Sequence, residues 1–405
     1  MQQPAPRFEL GCNYWPRQSA MYMWRELDLA AIRDEFAHMR DLGFKVVRFF
    51  VLAEDFLPEH DRVAVDKVAQ LVEVARIASE ERLTTIPTFI TINMSGKMWW
   101  PAFMHEPRAS LFADPALLRA QALLVDTCAR ALAGAASIRA FDLSNELDDA
   151  QPVPSRDAGW LWAMLLASTV RRAAPGIPVQ VGAHLPSLRT TTHLRIDDLA
   201  SVVDEDCMHA YPLYCDAARS FLDPELVPFS CALTSALAGK QRPTLMHEFG
   251  ICTAARGQPG LSISDDFLGR PLPQYLASEE EGAVYYEQVL ARLAATGAAG
   301  AYAWCYADYD PKLFARAPFD RALRERSFGL VRSDGSEKPA AQVIRTFARQ
   351  LERGEITIGA APELLDVSAD TYYNAPDEHF RRLYTRWLRL RTSRATPKLS
   401  WDARR

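Results

Sequence analysis

The sequence predicts an α/β protein: a (β/α)8 TIM barrel with long βα loops and a C-terminal helical extension. Three observations carry this. Eight short apolar runs alternate with amphipathic helical patterns, which implies parallel strands joined by right-handed crossovers. A doubly wound sheet would also satisfy that alternation, but no G-x-G-x-x-G turn follows the first strand, and a count of eight favours the closed barrel. The two longest connections follow strands seven and eight, on the face where barrels carry their sites.

The elements follow in order. Strand one is 8–14 "FELGCNY", and strand two is 44–52 "FKVVRFFVL". Between them, over 28–42, Leu29, Ile32, Phe36 and Met39 recur at helical spacing, and Gly43 is placed to end the helix. Strand three is 83–91 "LTTIPTFIT", strand four 138–146 "IRAFDLSNE", strand five 178–183 "PVQVGA" and strand six 205–211 "EDCMHAY". Strand seven is 243–249 "PTLMHEF" and strand eight 299–306 "AGAYAWCY". Further helices are readable near 66–80, 114–133, 157–173, 229–239, 280–296 and 337–351, with one short helix in 194–202. Residues 1–350 form the barrel on this reading. Residues 351–405 form an extension with a basic, aromatic helix over 376–391, packed on the barrel or at a subunit contact.

Composition narrows the function classes. A net charge of −5 gives no support to nucleic-acid binding. No apolar run reaches the ~20 residues that span a bilayer. The first residues show no basic segment followed by an apolar one, so a cytoplasmic protein is expected. Seven scattered cysteines without a C-x-x-C pair read as free buried thiols, and no Cys/His cluster suggests a metal. A homo-oligomer is compatible with all of this.

Polar residues at the strand ends suggest the chemistry. Strand side chains alternate faces, so Asp142, Ser144 and Glu146 share one face of strand four, with Glu146 at its end. Glu248 likewise ends strand seven, while strand two carries Arg48, strand six His209 and Tyr211, and strand eight Trp304. In a barrel these ends converge on one mouth. Two carboxyl groups there suit acid/base and nucleophilic work on one bond, provided one is protonated and the other ionised. Arg48 would keep a nearby glutamate ionised. Asp142 lies deeper and reads as a structural hydrogen-bonding group, and Asp148 and Asp149 as loop or cap residues. Aromatics on the mouth loops suit sugar faces: Asn13, Tyr14 and Trp15 end strand one, and Trp24, Trp99 and Trp100 are the preferred stacking candidates.

The segments "VVRFF", "LSNE", "HAY", "MHEFG" and "YAWCY", in this order and at these strand positions, resemble clan A glycoside hydrolases, most closely glycoside hydrolase family 5. "FGLVRSDGSEKPA" (328–340) resembles the lead into that clan's last barrel helix, so the resemblance spans roughly residues 8–350. It implies Glu146 as acid/base, Asn145 on the sugar 2-hydroxyl and Glu248 as nucleophile. Arg48 would orient and ionise Glu248, Tyr211 would hydrogen-bond it with His209 close by, and Trp304 would be the platform of subsite −1. Asn93 stands where the family often carries a histidine. No cofactor or metal is implied. "GCNYWPRQSAMYMWRELD" (11–28) resembles the opening segments of bacterial family 5 β-mannosidases and mannanases. The expectation is a retaining, exo-acting β-mannosidase on small oligosaccharides. β-Glucosidase and endo-β-1,4-mannanase are the alternatives, and a catalytically silent carbohydrate-binding barrel is the alternative of another class.

Overall fold

Strand two shows why the sheet closes. All seven residues of Val46–Leu52 are buried, so the strand is covered on both faces, as parallel strands are. In the computed structural model, which describes residues 8–104, 109–239, 242–267 and 269–392, it is one of eight barrel strands. They are Glu9–Asn13, Val46–Leu52, Thr84–Thr91, Phe141–Asn145, Val179–His184, Cys207–His209, Leu245–Phe249 and Gly300–Ala303. Each pairs in parallel with its neighbours in sequence, and strand one also pairs with strand eight, which closes the (β/α)8 barrel.

The crossover helices begin and end where local chemistry directs. Asp28 caps Leu29–Leu42 by accepting from Ala30 and Ala31 N–H, and Gly43 ends it in the left-handed region that a side chain would strain. Asp114 caps Pro115–Leu132 in the same way, and Ser278 with Glu281 forms a capping box on Glu279–Ala295. Strand six is shorter than the sequence suggests. Pro212 opens a 3-10 turn, Pro212–Tyr214, and so Tyr211 stands just past the strand.

The barrel interior is layered. Its floor is the apolar set Val46, Ile86, Ala140, Cys207, Leu245 and Tyr302. Tyr302 crosses so close to Gly11 that a Cβ there would lie 2.4 Å from its ring, so strand one needs glycine at this point. Above the floor lies a polar layer of Arg48, Thr88, Asp142 and His247, each fully buried. Register shifts fall at Phe50/Leu52, Asp142/Asn145, Met208/His209 and Ala301/Ala303, toward the C-terminal ends of the strands. Bulges there re-aim side chains at the mouth.

The loop after strand seven contains an antiparallel hairpin, Leu261–Phe267 with Arg270–Leu276, that the sequence reading left as irregular chain. Its buried Asp265 accepts from Leu323 N–H (2.7 Å), Arg324 N–H (2.9 Å) and Arg324 Nη1 (2.9 Å), tying it to the loop after strand eight. Lys338 gathers that loop from beneath, donating to Asp308 (2.7 Å), Thr253 (2.8 Å) and the Ser327 carbonyl (3.0 Å).

Beyond the last barrel helix, Pro339–Glu352, the chain folds back as Ala369–Asn374 and Pro376–Thr392. Phe380, Tyr384 and Trp387 fall on one face of the latter and surround Phe229 at centroid distances of 5.2, 4.8 and 5.8 Å. The Trp387 indole N–H donates to Glu225 (2.9 Å) and the Tyr384 hydroxyl to Asp223 (2.6 Å). Among the described residues no helix is long and apolar enough to cross a membrane. Trp387 is 2% exposed, so Trp387→Ala is expected to cost about 3–5 kcal/mol. Urea unfolding checks this; a loss under ~1 kcal/mol would show that the helix adds little to the barrel.

Candidate active site

Arg48 reaches the barrel axis from strand two and uses all five guanidinium N–H groups. Nε and Nη2 donate to Asp142 Oδ2 (3.1 and 2.8 Å), Nη1 to Asn13 Oδ1 (3.0 Å) and to Glu248 Oε1, and Nη2 to Asn145 Oδ1 (2.9 Å). Burial alone would lower its pKa, but Asp142 and Glu248 outweigh that and raise it. Asp142 is fixed in turn by Thr88 Oγ1 (2.8 Å) and Gly182 N–H (3.1 Å). The second oxygen of Glu248 accepts from the Tyr211 hydroxyl at 2.9 Å. Glu248 therefore receives a donor on each oxygen, one from strand two and one from just past strand six.

Glu146 sits differently. It ends strand four with φ 42° and ψ 45°, a left-handed conformation that costs a non-glycine residue about 1–3 kcal/mol. That turn points its carboxyl at His209, whose Nδ1 lies 2.9 Å from Oε1. Burial, with the charges of Asp149 and Asp148 added, outweighs the pull of His184 and Arg48 and lifts Glu146 to about 7. Burial drops His209 to about 4, so its imidazole is neutral. Its Nε2 has no partner, so the tautomer that donates from Nδ1 to Glu146 leaves no buried N–H unpaired. One oxygen of Glu146 and one of Glu248 lie within 4.8 Å of each other. Strand five makes room for this. At Gly182 a Cβ would lie 2.7 Å from His209 Nε2 and 3.3 Å from Arg48 Nη2.

Both glutamates open onto a cavity of about 330 Å³. That is the small end of the range for ligand pockets, about 300–1,000 Å³. Trp304, 5% exposed, forms part of its wall, with its ring edge on Phe50 at 5.8 Å. Gly250 lets the Trp304 backbone approach, since a Cβ there would lie 2.1 Å from its carbonyl oxygen. Asn145, His209, Tyr211 and Asn93 also line the cavity, and Asn93 Nδ2 donates to Asp149 at 3.4 Å.

The other sequence candidates do not line it. Asn13 is fully buried behind Arg48, donating to the carbonyls of His247 (3.0 Å) and Ala303 (3.2 Å). The Tyr14 hydroxyl goes to Glu35 (2.7 Å), and its ring packs on Phe36. Trp24 is fully buried with its N–H on the Phe50 carbonyl (2.8 Å). Trp99 is buried against Tyr22, with Lys97 Nζ 3.2 Å from its ring centroid. Trp100 packs half-buried on the core. An aromatic in a mouth loop covers the barrel as readily as it meets a sugar, and these rings cover.

Other residues take the places that sequence reasoning left open: His184, Asp149, Tyr214, Arg324 and Glu325, with Leu272 from the hairpin. His184 lies one residue past the expected end of strand five. Alternation from Gln180 through Gly182 carries a signal for it. Arg324 and Glu325 sit in a loop with no periodicity. Glu325 is buried, and burial raises its pKa against the pull of Arg324.

Among the described residues three donor sets are close enough to hold a cation: Asp148 with His184 and His193, Glu146 with Asp149 and His184, and Glu146 with His209 and Glu248. The first two run through His184. Although burial opposes it, Asp149 and Asp148 raise this imidazole to about 10, with Nε2 3.2 Å from Asp148 Oδ1. In that state the ring pairs with the carboxylates as an ion-pair network.

No protein-family model matches this sequence, nor does any curated protein. Solved structures do resemble it. The GH5_18 protein of Streptomyces cattleya in complex with GlcNAc superposes with a TM-score of 0.84 at 21% identity, over 98% of this chain and 93% of that one. A variant of it in complex with Manβ1-4GlcNAc gives 0.81 at 21% identity, over 96% and 93%. The exo-β-1,4-mannosidase of Opitutaceae bacterium strain TAV5 gives 0.73 at 24% identity, over 86% of this chain and 60% of that one. These likenesses establish the fold.

Two measurements test the electrostatics. Arg48→Met leaves Asp142 and Glu248 buried without their cation and is expected to lose about 3–5 kcal/mol of stability. Chemical unfolding reads it, and a loss below ~1 kcal/mol would mean the layer relaxes freely. Glu146 rises from 4.5 to about 7 on folding, so the native state binds its proton more tightly. Its ionisation destabilises the fold progressively as pH climbs from the unfolded to the folded value. Glu146→Gln should therefore unfold at higher temperature than wild type at pH 8 and show little gain at pH 4.5. Equal gains at both pH values would contradict the shift.

Proposed function

We propose that this protein is a retaining β-glycosidase of the glycoside hydrolase family 5 type that removes mannosyl units from small β-mannosides. The observation that carries the reading is the pair Glu146 and Glu248, with oxygens within 4.8 Å across a sugar-sized cavity. Retaining enzymes hold their carboxyl groups about 5–5.5 Å apart, and inverting enzymes about 6.5–9.5 Å. The two environments also differ as the chemistry requires. Glu146 at about 7 carries a proton to give, while Glu248 accepts from Arg48 and Tyr211.

In the first step a Glu248 oxygen bonds to the anomeric carbon as the glycosidic C–O bond breaks. Glu146 passes its proton to the departing oxygen and is left as a carboxylate. In the second step that carboxylate takes a proton from water, whose oxygen bonds to the same carbon and displaces Glu248. Two inversions give net retention.

Neighbours that carry Manβ1-4GlcNAc or the name exo-β-1,4-mannosidase support mannose as the sugar released. Exo action draws support from the walls. Leu272 of the hairpin and the Arg324–Glu325 segment border the cavity, and Asp265 locks the two together. A wall of this kind favours a chain end over a polymer interior.

p-Nitrophenyl β-mannoside and manno-oligosaccharides test the proposal. Proton NMR should show β-mannose as the first product, with mannose as the sole monosaccharide and no internal cleavage. Glu248→Ala should abolish turnover, and Glu146→Ala should lower it about 10²–10⁴-fold for poor leaving groups. α-Mannose first would overturn retention, mixed oligomers would overturn exo action, and binding without turnover would leave a silent carbohydrate-binding barrel.

A further inference from the structure

Glu146 stands in a place hostile to a carboxylate. It is half-buried at the cavity wall, and Asp148 and Asp149, two and three residues on, crowd the same turn. The groups that face it come from every side of the mouth. Arg48 approaches from strand two, His184 from strand five, His209 and Tyr211 from strand six, and Glu248 from strand seven. Of these, Arg48 is bound to Asp142 and Glu248, and His209 is neutral. One cation remains that is not already engaged by the nucleophile's network.

That cation is His184. It closes strand five, is 4% exposed, and borders the cavity. Its Nε2 lies 3.2 Å from Asp148 Oδ1, and its Nδ1 lies 3.9 Å from Glu146 Oε1 and 3.7 Å from Asp149 Oδ2. Both carboxylates of this clamp are themselves held. Asp148 Oδ2 accepts from Leu194 N–H (2.9 Å), and Asp149 Oδ1 lies 3.4 Å from His193 Nε2. His193 is anchored in turn by Thr190 Oγ1 at 2.7 Å. The backbone of His184 is also fixed. It precedes the short helix Leu185–Arg189, whose Leu188 and Ser187 carbonyls accept from Tyr372 (2.6 Å) and Tyr373 (3.0 Å) of the C-terminal extension.

We propose that His184 is a positioning residue for the acid/base: its imidazolium, clamped by Asp148 and Asp149, faces Glu146 and stabilises the carboxylate formed when Glu146 gives up its proton. This rests on the glycosidase reading. His184 keeps its own proton through both steps. It acts by charge, neutralising the two aspartates that would otherwise hold the proton on Glu146. Without it, Glu146 delivers its proton reluctantly and serves poorly as the base of the second step.

The test compares wild type with His184→Gln and His184→Lys. Two substrates are used, an aryl β-mannoside with a poor leaving group and 2,4-dinitrophenyl β-mannoside, whose leaving group needs no proton. In His184→Gln the alkaline limb of kcat/KM for the poor leaving group should move up by about one pH unit or more, as expected for loss of a nearby cation. The acidic limb should stay in place, and kcat/KM for the dinitrophenyl substrate should change less than about twofold, because that step bypasses the acid. His184→Lys, which restores the charge, should bring the limb back toward wild type. Should His184→Gln fail to fold, Asp149→Asn removes an anion instead and should move the limb down. Carbon NMR titration of Glu146 reads the same shifts without any turnover, so the inference can be judged even if the sugar is not mannose. A uniform fall for both substrates with the limbs unmoved, or an Asp149→Asn profile identical to wild type, would overturn it.

Discussion

One guanidinium, buried in the middle of the barrel, organises everything above it. Arg48 has five N–H groups, and each finds an acceptor on Asn13, Asp142, Asn145 or Glu248. Its contacts therefore join strands one, two, four and seven in one plane. A buried cation of this kind is tolerable only when fully paired. That requirement dictates the neighbours: Asp142 accepts from a strand-three hydroxyl and a strand-five N–H, and Gly182 is kept small beside it. The charged layer is a structural necessity that also aims Glu248.

The two carboxyl groups diverge because they meet that layer unequally. Glu248 touches Arg48 directly and accepts from Tyr211 as well. Glu146 ends a strand in a left-handed turn, beside a neutral imidazole and two further acids. Burial then favours its protonated form. The same chemical group thus meets two environments, separated by which strand end carries it.

The loops complete the site by bracing one another. The hairpin after strand seven holds the segment after strand eight through Asp265, and Lys338 gathers the same loop from below. On the opposite wall, Tyr372 and Tyr373 of the extension fix the short helix that starts after His184. A segment remote in sequence thereby borders the chemistry without entering it.

What the sequence determined by itself follows from local rules. Alternation along a strand is strict, so "AFDLSNE" and "LMHEF" could be read as placing Glu146 and Glu248 at strand ends, and eight such runs imply closure. Tertiary structure decided what local rules do not reach. Trp24, Trp99, Trp100 and Tyr14 have the composition of a sugar platform, yet packing turned them into the barrel's cover. The hairpin was hidden because the face that carries Leu261, Ile263, Leu272 and Leu276 is interrupted by Asp265 and Gln274, and two prolines break the second strand's pattern. His184 lay one residue past an expected boundary, and its charge depends on Asp148 and Asp149, more than thirty positions away. The approach of the two glutamates to within 4.8 Å likewise depends on barrel closure and on register shifts near the strand ends. Distances across a closed sheet are set by all of its strands together, and no single stretch of chain contains them.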